Sequence, residues 1–127
     1  MSFTLIDSGS EGYEFSTSVW HWKAAVEIIK SLDALSEGTV RQMGYNAMGI
    51  RISQEEAKKI ADGIRGDILP KLAPNKRMFA DLSITDEPDD GTIYRDEDEQ
   101  WKNYSVTHDW LAELADFCER TKGFQIF

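Results

Sequence analysis

The segment from about Ser18 to Leu35 constrains the fold more than any other part of the chain. At 100° per residue, Trp22, Ala24, Ala25, Val26, Ile28, Ile29 and Leu32 spread over about 200° of a helix circumference. Only Lys23, Glu27 and Lys30 gather on a clear polar edge. A helix this apolar must be covered on more than one side. Two covers are available: other helices of the same chain, or a second copy in a two-fold homodimer.

The remaining pattern mixes helices with short strands. Phe3–Ile6 reads as a strand, and residues 7–12 as a polar loop. A short helix is expected over Thr39–Met43, followed by a turn-rich connection from Gly44 to Gly49. Ser53 opens a further helix. Glu56, three residues on, completes a capping box in which each side chain satisfies a backbone donor at the other's position. Ala57, Ile60, Ala61, Ile64, Ile68 and Leu72 line one arc of this helix, about 120° wide. Gly63 and Gly66 lie within it, each at a cost of about 1 kcal/mol relative to alanine, and allow close packing. Pro70 bends or ends it, because proline removes a backbone donor and clashes with the preceding turn.

Arg77–Thr85 reads as a strand, 86–91 as a turn and 92–95 as the returning strand of a hairpin. A last helix runs from about Thr107 to Lys122, with Trp110, Leu111, Leu114, Ala115, Phe117 and Cys118 on its apolar face and Gly123 as its C-cap. Phe124–Phe127 alternates as a terminal strand. With no repeat and no linker, residues 1–127 form a single α+β domain: about three main helices packed on a small, largely antiparallel sheet.

Charge is distributed unevenly. Asp81, Asp86, Glu87, Asp89, Asp90, Asp96, Glu97, Asp98 and Glu99 fall within twenty residues, opposed only by Arg95, so this stretch carries −8 of the chain's net −9. Such concentration makes a local field. A pI near 4.6 and the lack of a basic cluster argue against nucleic acid as a direct ligand. No apolar run approaches the roughly 18 residues of a membrane span. Residues 1–7 lack the basic and apolar regions of a signal peptide. A single cysteine suits a reducing compartment, and the cytoplasm is the expected location.

At Met43-Gly-Tyr-Asn46, Thr85-Asp-Glu-Pro-Asp-Asp-Gly-Thr92, Asn103-Tyr-Ser105 and the closing Trp110, Phe117, Cys118, Gly123 and Phe124, the chain resembles an uncharacterised bacterial family of single-domain proteins. The resemblance spans roughly residues 15–127. It implies a bacterial, cytoplasmic, self-contained protein, and carries no activity, cofactor or functional residue onto this chain.

Few residues point to chemistry. Asp86, Glu87, Asp89 and Asp90 offer clustered oxygens to Ca²⁺ or Mg²⁺, but their spacing is not that of an EF-hand, and a solvated acid-rich turn is the preferred reading. A Cys118–His108 pair is the obvious nucleophile and base, yet Cys118 lies within an apolar arc, where a thiolate is disfavoured. One cysteine and the two histidines, His21 and His108, match no zinc spacing. The glycines match neither a P-loop nor a dinucleotide fingerprint. Trp20, Trp22 and Trp110 are read as core before pocket. No catalytic residue, metal ligand or cofactor is therefore assigned.

The residues left as a partner surface are Asp86, Glu87, Asp89, Asp90, Asp96, Glu97, Asp98 and Glu99, with Trp101 and Tyr104 as anchors. The competing reading has Trp101 folded back onto the core. The expected function is a non-catalytic interaction protein that meets a basic protein surface; an immunity- or antitoxin-like inhibitor of a basic toxin is one concrete version. The alternative is a small carboxylate-dependent enzyme, with or without a divalent metal.

Overall fold

Among the described residues, three of the four α-helices grow directly out of a strand, and all three joints use the same device. A computed structural model describes residues 2–9, 12–45, 49–87 and 93–127. In it β2 (Glu14–Ser18) runs into α1 (Val19–Ser31), β3 (Ile50–Ser53) into α3 (Gln54–Gly63), and β6 (Ser105–Thr107) into α4 (His108–Arg120). The last strand residue is each time the helix N-cap, with ψ near 160° in β space. Extended backbone is what both a strand and an N-cap require, so no loop intervenes. Ser18, Ser53 and Thr107 accept from the backbone N–H of His21, Glu56 and Trp110. At Ser53 the capping box is complete, since Glu56 accepts from the Ser53 N–H at 3.0 Å.

The fold is α+β, and its strands divide into two small antiparallel sheets where the sequence suggested one. In the larger, of order β2-β1-β7-β3, β1 (Ser2–Asp7) and β7 (Gly123–Ile126) are central. Leu5 stands opposite Phe15 on one side and Ile126 on the other. The smaller sheet has the order β5-β4-β6, with β4 (Arg77–Phe79) in the middle.

The hairpin lies earlier than the sequence suggests. β4 pairs with β5 (Ile84–Thr85), placing Met78 opposite Ile84, and the turn is made by residues 80–83. Asp81 folds this turn by accepting from the Ser83 N–H at 2.9 Å and hydroxyl at 2.6 Å. Leu82 takes a left-handed φ of 72°, an uncommon state for a residue that carries a Cβ. Residues 88–92 of the expected turn and returning strand lie outside the described residues, and 93–95 form no strand. There the Asn103 side chain stands in for a strand partner, accepting from Tyr94 N at 2.7 Å and donating to Tyr94 O at 2.8 Å.

α1 is the buried centre. Trp22, Ala24, Ala25, Ile28 and Ile29 are at most 1 % exposed, and Val26 is 8 % exposed. α2 (Glu37–Tyr45), the sheets and the other helices provide this cover from within the chain, so the wide apolar arc gives no ground for a second copy. α3 continues through a π-helical segment, Ile64–Ile68, and stops before Pro70. Gly63 lets it press on the end of α1: a Cβ there would lie 2.8 Å from the Leu32 side chain. Nothing comparable stands near Gly66. Arg65 ties this segment to Asp116 and Glu119 of α4 at 2.5 and 2.7 Å.

Candidate functional site

The residues flagged by the sequence fall into three places. Asp86, Glu87, Asp96, Glu97 and Asp98 are exposed, Glu99 is half-buried, and Asp89 and Asp90 lie outside the described residues. Trp101 and Tyr104 are half-buried and turn toward a groove.

Glu97–Asn103 forms a 3₁₀ helix. Its acids have few structural duties. Asp96 sits at the N-cap position without making a side-chain cap. Among the described residues, only Glu99 of the 96–99 run makes an ion pair, with Lys102 at 3.1 Å. Glu99 is the least exposed of the run, its side chain 45 % exposed beside Lys102 three residues on. Trp101 is partly folded back, as the competing reading held. Its ring meets Phe79 edge-on at 5.1 Å, and its indole N–H donates to the Asp98 carbonyl at 3.0 Å. Arg77 links the hairpin to this region by donating to the Glu87 carbonyl at 2.8 Å and the Ser105 hydroxyl at 2.9 Å.

The groove encloses about 530 Å³ between α1, α2 and the 3₁₀ helix. α1 contributes its polar edge, Lys23, Glu27 and Lys30, and α2 contributes Glu37, Val40 and Arg41. Trp101 and Tyr104 form the far wall. Three bases thus face two acids in a chain of net charge −9. Among the described residues, no carboxylate lies within 4 Å of Lys23, Lys30 or Arg41. The Lys23 ammonium sits 5.3 Å from the centre of the Tyr104 ring, within cation–π range.

The sequence reading missed Trp20. It is 44 % exposed and stacks on Tyr104 with centroids 5.4 Å apart and planes at 28°. The available signal was its place off the apolar arc that holds Trp22. Trp20, Tyr104 and Trp101 make an aromatic strip along one side of the groove and the acidic helix.

The remaining candidates are structural. Cys118 is 1 % exposed, and burial pushes its thiol up to about 12. His108 lies ten residues earlier on the same helix, about 15 Å along the axis, too far to act as its base. The nearest ionic neighbour of His108 Nδ1 is Asp109 at 3.5 Å, and the atom has no hydrogen-bond partner among the described residues. Among the described residues, no three His, Cys, Asp or Glu side chains gather as a metal site, and no helix is long and apolar enough to cross a membrane. Native Cys118 is expected to resist thiol reagents at neutral pH and to react only as the protein opens. Rapid stoichiometric labelling of the folded protein would contradict its burial.

No family model, curated protein or solved structure matches this chain.

Proposed function

We propose that the protein is a non-catalytic interaction module. Its recognition face is the 3₁₀ helix with its exposed carboxylates and the adjoining aromatic strip. The observation that supports this reading most is the juxtaposition of half-exposed Trp20, Tyr104 and Trp101 with Asp96, Glu97 and Asp98, whose carboxylates make no hydrogen bond or ion pair among the described residues. Like charges held together repel one another, so they lower stability unless something offsets them. A basic protein surface would do so, with the carboxylates steering its approach and the aromatic rings providing contact area. Inhibition of a basic toxin by an immunity- or antitoxin-like protein is one such pairing. In this reading the protein works in the cytoplasm, where its one cysteine stays a thiol.

The test is affinity capture from the organism that carries this chain, with the wild type beside the triple variant Asp96→Asn, Glu97→Gln, Asp98→Asn. The wild type is expected to retain a basic protein at low ionic strength and to release it in roughly 1 M salt, where screening reaches about 3 Å. The triple variant is expected not to retain it. Equal retention by both proteins, or retention of an acidic partner only, would contradict the proposal.

A further inference from the structure

We propose that the groove between α1 and α2 is a binding site for a small planar anion, a ligand with a carboxylate or similar group on a flat apolar body. This inference goes beyond the recognition face, with which the groove shares Trp101 and Tyr104. It rests on the groove's bases, whereas the face rests on the acids of the 3₁₀ helix.

Three observations converge. The first is size: about 530 Å³ lies within the range of small-molecule sites. The second is charge. The groove lining has an excess of one positive charge although the chain is strongly acidic, whereas the charges lining the second recess, beside the π-helical segment, are Asp67 and Lys71 and cancel. Lys30 and Arg41 come from different helices and make no ion pair among the described residues, so both are available to an incoming anion. Arg41 can grip a carboxylate with two parallel hydrogen bonds, which favours a planar group over a point charge. The third is the opposite wall. Trp101 lines it together with the part of the Tyr104 ring that Trp20 and Lys23 leave uncovered, and Val40 adds apolar contact. Lys23 is held over Tyr104, which places a further positive charge beside that ring.

Naphthalene-2-carboxylate and its neutral amide, naphthalene-2-carboxamide, differ chiefly in charge and test the assignment as a pair. Each is titrated into ¹⁵N-labelled protein while amide shifts are followed. The carboxylate is expected to bind one-to-one, moving the amides of α1, α2 and residues 101–104, and to bind about tenfold more tightly than the amide, the worth of one good charge-assisted contact. In the double variant Lys30→Gln, Arg41→Gln the two ligands should bind equally weakly. Both substitutions are on exposed helix positions, so the fold is retained, and an unchanged amide spectrum away from the groove checks this. Equal binding of the two ligands to the wild type, no binding of either, shifts centred elsewhere, or preference for the carboxylate surviving in the double variant would each overturn the proposal. The variant keeps Asp96, Glu97 and Asp98, so partner capture through the acidic helix succeeds or fails independently.

Discussion

Replacing Trp22 with alanine is expected to lower the unfolding free energy by about 3–5 kcal/mol, the usual cost of emptying a large aromatic site in a core. Trp22 is fully buried, stands 6.1 Å from the Phe3 ring, and donates its indole N–H to the Met43 carbonyl at 2.8 Å. That carbonyl lies in the last turn of α2, where helical acceptors run out of partners along the chain. The indole therefore fills the centre of the core and also satisfies a helix end. Urea denaturation followed by circular dichroism measures the loss. If the alanine variant does not fold, Trp22→Phe separates the two roles. It keeps most of the apolar volume but takes the indole donor away from the Met43 carbonyl, at about 1–3 kcal/mol. A phenylalanine variant as stable as the wild type would show that the hydrogen bond contributes nothing.

Asp7→Ala is expected to cost about 2–3 kcal/mol, in the range for hydrogen bonds to a charged group. The carboxylate ends β1 and gathers the turn between α4 and β7, accepting from the Thr121 hydroxyl at 2.5 Å and the Lys122 N–H at 2.9 Å. Thr121 Oγ1 also lies 2.7 Å from the Gly123 carbonyl, and its one proton favours the charged acceptor. Burial pushes the Asp7 carboxyl up, but the Thr121 hydroxyl, the Lys122 and Gly9 backbone donors and the Lys122 charge together outweigh it and hold the carboxyl below its usual range. The folded state thus binds this proton less readily than the unfolded state. Its contribution is fully present above the ordinary carboxylate value, near 3.8, and is lost as pH falls below it. Stability measured from pH 6 down to about pH 3 should fall in the wild type more steeply than in Asp7→Ala. Parallel profiles would contradict the assignment.

The parts of this fold legible in the sequence are those fixed within a few residues. The capping box at Ser53 and Glu56 announces α3, and the apolar faces of α1 and α4 follow from helical spacing alone. The short strands were harder to read. β2, Glu-Phe-Ser-Thr-Ser, and β6, Ser-Val-Thr, carry little apolar alternation, and their place comes from pairing with distant segments, as when Val106 meets Met78. The hairpin was displaced because Asp81 and Leu82 make a turn without glycine or proline, while the stronger turn composition lies farther on. For the candidate site, the acidic run and the two aromatics Trp101 and Tyr104 are visible in the sequence. The groove is not, since Lys30, Arg41 and Trp101 come from elements that only tertiary packing brings together. The polar edge of α1 was seen and belongs to that groove, but a single helix cannot reveal what lies opposite it.

The central claim is that the carboxylates of Asp96, Glu97 and Asp98 serve a partner and not the fold. Thermal unfolding of Asp96→Asn, Glu97→Gln, Asp98→Asn at low ionic strength tests it most directly. The account predicts a midpoint equal to or above that of the wild type, because three mutually repelling charges without hydrogen-bond or ion-pair partners among the described residues have been removed. A midpoint lowered by about 4 °C or more, the mark of roughly 1 kcal/mol lost, would show that these acids hold the structure together and would contradict their assignment to a recognition surface.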